Sequence, residues 1–355
     1  MNALFLYCRT GFENDCAAEI VAKAALHNVS GYCKAKPDSG YVIFTAGDGS
    51  AIDALYQQLS LAELVFCRQW FVILDMRNDL PVNDRIKPLL ESARLSPYPI
   101  DDLMVDTTDT NEGKQLSPLC RKLTPLLTKQ LRQMTDAARD TNNPTATTLH
   151  VCFLSTHAAY VGYSRKGNAE PWPMGVPRLK FPHQAPSRST LKLEEAFLRL
   201  LSANEQEQLL TPGMSAVDLG AAPGGWTWQL VRRHIHVTAV DNGTMQAELL
   251  ETGLVEHIRA DGFTYQPAQP VDWMVCDIID RPQRVIERAA LWLTAGWCKQ
   301  TVFNLKLPMK QRYQHTQQCL QYLRDQLEFH KQPYRLTCKQ LYHDREEVTV
   351  FVHRL

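Results

Sequence analysis

The sequence of 355 residues lacks three features that mark special classes of protein. It has no net charge, because 38 basic residues balance 38 acidic ones, so any attraction to nucleic acid must come from a local patch. Its ten cysteines form no CxxC pair and no cluster at zinc spacing. It has no uncharged apolar run near the roughly 20 residues of a membrane-spanning helix. We therefore expect a soluble, cytoplasmic, monomeric protein without a bound metal.

The length is sufficient for two or three domains. Residues 1–78 predict strand, helix, two strands, helix and strand, which is the order of a ferredoxin-like domain. Residues 79–165 predict a second α+β domain with a long amphipathic helix from about Lys114 to Met134. Basic side chains on this helix form either a solvated face or a contact with an RNA backbone: Lys114, Arg121, Lys122, Lys129 and Arg132.

Residues 166–186 carry prolines at positions 171, 173, 177, 182 and 186, which exclude a helix or a central strand. They predict a stiff linker between domains. Between residues 165 and 192, basic residues outnumber the single acid Glu170 and are interleaved with Trp172 and Phe181: Arg165, Lys166, Arg178, Lys180, Arg188 and Lys192. This composition suits single-stranded nucleic acid, and it suits a linker that packs between domains equally well.

From residue 187 to the C-terminus, predicted strands and helices alternate. Strands are expected near residues 215–219, 236–240, 255–259, 272–276, 301–306, 335–341 and 347–353. The helices between them, including one from about Met309 to His330, predict a doubly wound, mostly parallel, Rossmann-like sheet of seven strands. Ligands of such sheets bind at the carboxyl ends of the strands.

The stretch AVDLGAAPGGWTWQL, residues 216–230, places three glycines and a proline between a predicted strand and a predicted helix. It is not a phosphate-binding P-loop, because Trp226 stands where that motif needs lysine. It is not a dinucleotide fingerprint, because Ala222 stands where that motif needs its second glycine. It suits a ligand with an amino-acid moiety, whose ammonium pairs with an acid while backbone amides face its carboxylate. The residues concerned are Asp218, Gly220, Pro223, Gly224 and Gly225.

Two further acids follow the next predicted strands. Asp241 ends HVTAVD, where a carboxylate commonly accepts ribose hydroxyls, and Asp261 ends EHIRAD, where it suits an adenine amino group. Each acid alone is equally consistent with a helix cap or a turn. Acids at three successive strand ends together predict a site for S-adenosylmethionine, which contains an amino acid, a ribose and an adenine.

Five segments resemble the Rossmann-like RNA ribose 2′-O-methyltransferases that carry a Lys-Asp-Lys-Glu tetrad: SRSTLKLEEAF, DLGAAPGGW, VCDIID, FNLKLP and REEVTVFV. The layout of the whole chain is similar to that of the bacterial enzymes that methylate cytidine in 23S rRNA. The resemblance implies a THUMP domain over residues 79–165 and a methyltransferase domain over residues 187–355. It also implies a tetrad, with Glu346 as a neighbouring candidate for its last member: Lys192, Asp277, Lys306 and Glu347.

The same resemblance implies the residues that contact S-adenosylmethionine: Ser189, Ala222, Pro223, Gly224, Gly225, Asp241, Asp261 and Asp277. The implied reaction is 2′-O-methylation of a cytidine in the peptidyl-transferase region of 23S rRNA. Methylation of tRNA by the same mechanism and a non-catalytic RNA-binding assembly factor remain alternatives. From the basic residues described above, we expect RNA contacts at six positions: Lys122, Lys129, Arg165, Arg178, Lys180 and Arg188.

Methyl transfer to a ribose hydroxyl requires that the hydroxyl is aligned and loses its proton. Lys306 is the expected group, although an ordinary lysine, with a pKa of about 10.4, is charged at neutral pH. Lys192 and burial favour the neutral form, whereas Asp277 and Glu347 favour the charged one. Both roles therefore stay open, a general base or a charged group that orients the hydroxyl. Cys276 is expected in the core, because strand alternation turns it away from Asp277.

Overall fold

A computed structural model describes residues 3–49, 51–134 and 147–355. The chain forms two compact units, Met1–Pro177 and Arg178–Leu355. Strands in the described part of the chain form two sheets of seven strands, one in each unit. Across the described ranges, no helix combines the length and apolar character needed to cross a membrane.

The first four strands have the predicted ferredoxin-like arrangement. In chain order the elements are β1 (Ala3–Tyr7), α1 (Glu13–Leu26), β2 (Gly31–Ala35), β3 (Tyr41–Ala46), α2 (Ala51–Gln58) and β4 (Gln69–Arg77). The strands pair antiparallel in the order β2-β3-β1-β4. Every residue of the apolar strand β1 is buried, because β1 lies between two other strands in the middle of the sheet.

The first unit continues with α3 (Ile86–Ala93), β5 (Ile100–Thr107), α4 (Asn111–Met134), β6 (Thr147–Phe153) and β7 (Ala159–Arg165). Because β7 pairs with β4, the strands of both predicted N-terminal domains belong to one sheet, in the order β2-β3-β1-β4-β7-β6-β5. Helix α4 packs on this sheet through buried side chains at helical spacing: Cys120, Leu123, Leu127 and Leu131. The predicted basic side chains of α4 are exposed.

The first half of the predicted linker is fixed to the first unit. The side-chain nitrogen of Asn168 donates to the carbonyl oxygens of Tyr56, at 2.9 Å, and Leu59, at 3.0 Å. The backbone nitrogen of Met174 donates to the buried carboxylate of Asp106 at 2.9 Å. This half of the predicted linker therefore packs against the first unit.

The second unit contains the predicted alternation of helices and strands. Its elements are α5 (Thr190–Leu200), α6 (Ala203–Leu209), β8 (Ser215–Leu219), α7 (Gly225–Val231), β9 (His236–Val240), α8 (Ala247–Glu251), β10 (Val255–Ile258), β11 (Val271–Cys276), α9 (Pro282–Thr294), β12 (Cys298–Lys306), α10 (Arg312–Phe329), β13 (Tyr334–Lys339) and β14 (Glu347–Arg354). All seven strands lie within a few residues of their predicted positions. Helix α10 begins at Arg312 rather than near Met309, because Gln311 has a left-handed φ of 57° that interrupts helical geometry.

The strand order of the second sheet is β10-β9-β8-β11-β12-β14-β13. Neighbours from β10 to β12 are parallel, and β14 runs antiparallel to both β12 and β13. The predicted doubly wound, mostly parallel sheet is therefore confirmed. Large aromatic side chains fill the core between this sheet and its helices, among them Phe197 of α5, Trp226 of α7 and Trp273 of β11.

Candidate active site

The predicted site residues lie at one edge of the second sheet. Parallel neighbours bring their carboxyl ends to the same edge, which is where ligands bind in folds of this type. Gly220 directly follows β8, Asp241 follows β9 and Asp277 follows β11. Lys306 is the last residue of β12, and Asp261 lies in the loop after β10.

The loop between β8 and α7 depends on two of its glycines. Gly224 has a φ of +114°, a region that L-amino acids with side chains rarely adopt. A Cβ atom on Gly225 would lie 2.2 Å from Ser189 Oγ, so only glycine allows the loop to approach the start of α5 this closely. The carbonyl of Ser189 also accepts a hydrogen bond from Trp226 Nε1 at 3.1 Å. Ser189 and the glycine loop therefore form one closely packed surface.

Acids at the neighbouring strand ends accept hydrogen bonds from backbone amides and retain acceptor capacity. Asp241 Oδ2 accepts from the backbone nitrogen of Ala222 at 3.0 Å, and its Oδ1 accepts from that of Gly243 at 2.7 Å. Asp261 is exposed and accepts from the backbone nitrogen of Phe263 at 2.9 Å. An ionised carboxylate has about four acceptor positions, so both acids can also bind hydroxyl or amino groups of a ligand. These acceptors fit the ribose hydroxyls and the adenine amino group of S-adenosylmethionine.

Asp218 differs from the other predicted cofactor contacts. Its residue surface is 1% exposed, and its carboxylate accepts a hydrogen bond from Thr227 Oγ1 at 2.7 Å. Burial raises the pKa of Asp218 to about 7. Asp218 thus links β8 to the first turn of α7 and stabilises the loop between them. Its pairing with a ligand ammonium stays a prediction.

The four predicted tetrad side chains come together at the end of β12. Lys306 Nζ lies 2.9 Å from Asp277 Oδ1 and 3.4 Å from Glu347 Oε2. Lys192 Nζ lies 3.2 Å from Asp277 Oδ2 and also pairs with Glu347 Oε1. Each lysine therefore contacts both acids. The register of β12 and β14 places Glu347 directly opposite Lys306, which explains how two distant parts of the sequence meet here.

Opposite charges in this cluster outweigh the cost of burial. Burial alone raises the pKa of Asp277, but the charges of Lys192 and Lys306 outweigh it and hold this pKa below its usual value. Burial alone lowers the pKa of Lys192, but attraction to Asp277 and Glu347 outweighs it and raises this pKa. At neutral pH, Asp277 is therefore an anion and Lys192 a cation.

The structure separates Glu347 from its neighbour Glu346. Glu347 is buried and contacts both lysines. Glu346 is exposed and pairs with Arg312 at 2.7 Å instead. Successive residues of an extended chain face opposite sides, so only one of the two acids can point into the cluster.

Cys276 is a core residue, as strand alternation predicts. It is 2% exposed, and burial raises the pKa of its thiol to about 12. A nucleophilic cysteine must be a thiolate, and this one is a neutral thiol at physiological pH. The site therefore does not fit the chemistry of pyrimidine C5 methylation, which needs such a nucleophile.

A cavity of 480 Å³ opens beside Lys306, between the loop after β11, the start of α9 and the side of α10. Its lining includes Arg281, Gln283, Pro308 and His315. Two apolar side chains in the adjoining loops are exposed, Ile279 by 85% and Met309 by 86%. The lysine thus lies at the wall of a mixed polar and apolar cavity that is open to a large substrate.

The six side chains predicted to bind RNA occupy several elements. Arg165 ends β7, and its guanidinium lies 4.6 Å from the centre of the Tyr98 ring, so it is engaged within the first unit. The other five are exposed: Lys122, Lys129, Arg178, Lys180 and Arg188. Lys122 and Lys129 lie on α4, and the remaining three precede α5 in the second unit.

Three protein-family models match the chain. A model described as the RlmM ferredoxin-like domain matches residues 1–71, and one described as "Ribosomal RNA large subunit methyltransferase M, N-terminal" matches residues 84–165. A third, described as FtsJ-like methyltransferase, matches residues 185–332.

Full-length relatives carry the same description, ribosomal RNA large subunit methyltransferase M. The chain is 49% identical to that of Cellvibrio japonicus, over 99% of both chains. It is 47% identical to that of Xanthomonas oryzae pv. oryzae, over 100% of both chains, and 46% identical to that of Actinobacillus pleuropneumoniae, over 99% of this chain and 98% of the relative. The chain belongs to the ribosomal RNA large subunit methyltransferase M family.

Family membership confirms the predicted ferredoxin-like domain at the N-terminus and the predicted enzyme class, a methyltransferase that uses S-adenosylmethionine. The predicted THUMP domain over residues 79–165 is not named in the three family descriptions and stays a prediction.

Sequence reasoning missed a polar residue that touches the tetrad. Asn304 is fully buried, and its side-chain nitrogen donates to Asp277 Oδ1 at 2.8 Å. A signal was present, because Asn304 lies two residues before Lys306 on the same strand and therefore on the same face. A buried amide on the same face as the predicted catalytic lysine needs partners, and Asp277 is one of them.

Proposed function

We propose that the protein transfers a methyl group from S-adenosylmethionine to the 2′-hydroxyl of a cytidine in 23S rRNA. One observation carries this proposal. At the strand ends beside the glycine loop, two lysines and two acids form a cluster in which each lysine pairs with both acids. We assign the reaction to this tetrad, and we assign the cofactor to Ser189, the loop of residues 222–225, Asp241 and Asp261.

When bound, S-adenosylmethionine supplies a methyl group that its sulfonium makes electrophilic. The protein must hold the ribose hydroxyl in line with that methyl, and the hydroxyl proton must pass either to a side chain or to water. Lys306 is the tetrad member that lines the open cavity, so we place the hydroxyl beside its Nζ atom. Asp277 pairs with both lysines, and Lys192 supplies a positive charge at neutral pH. Glu347 is the second acid that pairs with both lysines.

Two roles for Lys306 fit these contacts. A neutral lysine would remove the hydroxyl proton as the new bond forms, and a charged one would orient the oxygen lone pair toward the methyl and leave the proton to water. Replacement by arginine separates the roles, because guanidinium stays charged in proteins and cannot act as the base.

The rRNA substrate is supported by the names of the full-length relatives, and the cytidine and 23S assignments come from the sequence resemblance described above. We propose that the exposed basic side chains of α4 and of the segment before α5 bind the phosphates of the RNA backbone. We also propose that residues 79–165 form a THUMP domain. We also propose that the enzyme is a monomer and acts in the cytoplasm.

The decisive experiment combines label incorporation with a position-specific readout. The protein is incubated with methyl-labelled S-adenosylmethionine and, separately, with 23S rRNA, 16S rRNA and tRNA that lack modifications. Labelled RNA is then partly hydrolysed in alkali, where a 2′-O-methyl group blocks cleavage at its own nucleotide. We expect label only in 23S rRNA and one gap in the ladder, at a cytidine. Label in tRNA would move the substrate to tRNA, an unbroken ladder would exclude the ribose, and no label in any RNA would favour an assembly factor.

A further inference from the structure

Behind the tetrad lies a row of buried, polar side chains that the proposed mechanism does not use. Asn304 of β12 and Thr349 of β14 are fully buried, and Asp344, in the loop before β14, is 1% exposed. Asn304 is the register partner of Thr349, just as Lys306 is that of Glu347. The two strands therefore carry two adjacent pairs on one face, one charged pair in the tetrad and one uncharged pair behind it.

Distances join these residues into one chain that ends at the tetrad. Asn304 Nδ2 lies 2.8 Å from Asp277 Oδ1, and Thr349 Oγ1 lies 2.7 Å from Asn304 Oδ1. Thr349 Oγ1 lies 3.2 and 3.1 Å from the two carboxyl oxygens of Asp344. The backbone nitrogen of Leu341 donates to Asp344 Oδ2 at 2.9 Å.

Hydrogen-bond chemistry fixes the direction of every bond in this chain. Asp277 is an anion and can only accept, so Asn304 must turn its NH₂ group toward Asp277 and its carbonyl toward Thr349. Thr349 has one hydroxyl hydrogen, and it donates this hydrogen to the Asn304 carbonyl. Because that hydrogen is engaged, a direct hydrogen bond between Asp344 and Thr349 requires a protonated Asp344 as its donor. Since Oδ2 already accepts from Leu341, the proton belongs on Oδ1.

The surroundings of Asp344 agree with a neutral carboxyl group. Burial, together with the charges of Glu347 on β14 and Glu195 on α5, raises the pKa of Asp344 to about 8. Lys192 on α5 acts in the opposite direction but does not prevail. Lys339 of β13, the register partner of Thr349, is a further buried charged residue near this row.

We propose that Asp344, Thr349 and Asn304 form a positioning relay. The single proton on Asp344 fixes the direction of its hydrogen bonds, and the relay holds the Asp277 carboxylate in the orientation that places Lys306. This inference rests on the proposed function for its catalytic consequence. Loss of the Asp344 proton to solvent leaves a carboxylate that attracts the Thr349 hydroxyl hydrogen. The Asn304 carbonyl then loses its donor, the amide is free to rotate, and Asp277 loses the contact that orients it.

The test compares pH profiles of single-turnover methyl transfer, at saturating cofactor and RNA, for the wild type and Asp344→Asn. An asparagine at this position donates to Thr349 at every pH and has no proton to lose. We expect the wild-type rate to fall above about pH 8, and the Asp344→Asn rate to stay level there relative to its own value at pH 7. The same alkaline fall in both proteins would overturn the relay.

Thr349 provides a matched pair of variants. Thr349→Val keeps the shape and removes the hydroxyl, and we expect about a tenfold lower rate with an unchanged KM for RNA, as for loss of one buried hydrogen bond. Thr349→Ser restores the hydroxyl and should restore most of the rate. Equal rates in the valine and serine variants would contradict the relay.

A measurement without RNA separates the relay from the proposed function. A carboxyl group whose pKa is raised by folding loses its contribution to stability as the pH rises toward the folded value. The free energy of unfolding of the wild type should therefore fall more between pH 5.5 and 8.5 than that of Asp344→Asn. An equal fall would overturn the relay even if the methyl transfer is confirmed, and a larger fall in the wild type would support it even if RNA is not methylated.

Discussion

Asp106 in the first unit and Asp277 in the second lie at the ends of strands in two seven-stranded sheets, and they have opposite electrostatic properties. Asp106 is 4% exposed, and it accepts hydrogen bonds from the Tyr7 hydroxyl and the Met174 backbone. Burial raises its pKa to about 7. Asp277 contacts two lysines, which hold its pKa below the usual value.

The comparison shows that partners, and not the strand end itself, decide what an acid can do. With neutral partners, Asp106 fixes a segment of the chain to its sheet and tends toward the uncharged form. With cationic partners, Asp277 keeps its charge in a half-buried place and organises the lysines of a reaction site. Replacing residues in each region should therefore affect different properties, activity in one and the pH dependence of stability in the other.

The largest effect is expected at Lys306. Lys306→Ala should reduce single-turnover methyl transfer by roughly a thousandfold, as for loss of a group that handles the reacting proton. Lys306→Arg should be equally inactive if the lysine is a base, and should retain substantial activity if it is an orienting charge. Lys299→Ala, at the exposed start of the same strand, is the control and should match the wild type. Near-normal transfer by Lys306→Ala would remove this residue from the mechanism.

Asp277→Asn should reduce transfer by roughly a hundredfold, because the two lysines lose one of their two shared acids while the shape is kept. Affinity for RNA should change little, since this side chain lies below the proposed substrate position. Rapid-quench kinetics and a separate RNA-binding measurement check both statements. A defect confined to RNA binding would show that Asp277 serves recognition and not reaction.

Gly225→Ala tests the cofactor loop. The added Cβ would collide with Ser189 Oγ, at 2.2 Å, and with Ser187 Oγ, at 2.4 Å, so these two serine side chains or the loop must move. We expect roughly tenfold weaker binding of S-adenosylmethionine in calorimetry, which corresponds to about 1.4 kcal/mol. Unchanged affinity would place the cofactor away from this loop.

Charge reversal of Arg178 and Lys180 to glutamate should weaken RNA binding several-fold and reduce the slope of affinity against salt concentration by about 2, one for each lost phosphate contact. Lys331→Glu, another exposed lysine of the same unit, should leave the slope unchanged. Filter binding over a salt series measures both. If the double variant keeps the wild-type slope, the segment before α5 has a packing role alone.

The smallest effect on activity is expected for Asp106→Asn, which should methylate RNA like the wild type. Its effect lies in stability. The folded pKa of Asp106 lies above the value of about 3.9 in an unfolded chain, so the folded wild type holds more protons between about pH 4 and 7 and loses stability as the pH rises through that window. Chemical denaturation should show that this loss is smaller in the variant, by up to roughly 4 kcal/mol. Equal pH dependence in both proteins would contradict the account of Asp106.

The sequence predicts the order of elements well because each prediction uses local information. Apolar runs bounded by turns place all seven strands of the second sheet, and amphipathic spacing predicts the long helix α4. In the structure its buried face carries Cys120, Leu123 and Leu127. The pairing of β4 with β7 has no local signal, so the continuity of the first sheet was not predictable. The same holds for Asn168, whose partners lie about a hundred residues away in the chain.

The candidate site divides in the same way. Glycines and strand-end acids follow from local motifs. The tetrad joins residues from α5, the loop after β11, β12 and β14, and it was placed only by resemblance. Glu347 could be separated from Glu346 only through the strand register. Thr349 was missed because a threonine in a strand carries no chemical signal until its partners are known. Asn304 could have been found from its position two residues before Lys306 on the same strand.

The most direct test of the central assignment is mass analysis of nucleosides from 23S rRNA treated with the wild type, or with Lys306→Ala, and methyl-labelled S-adenosylmethionine. We predict that the wild type places the label on the ribose of cytidine and that Lys306→Ala yields almost none. Label on a base, or an equal yield of ribose-methylated cytidine from both proteins, would contradict the assignment of this reaction to the lysine and acid cluster.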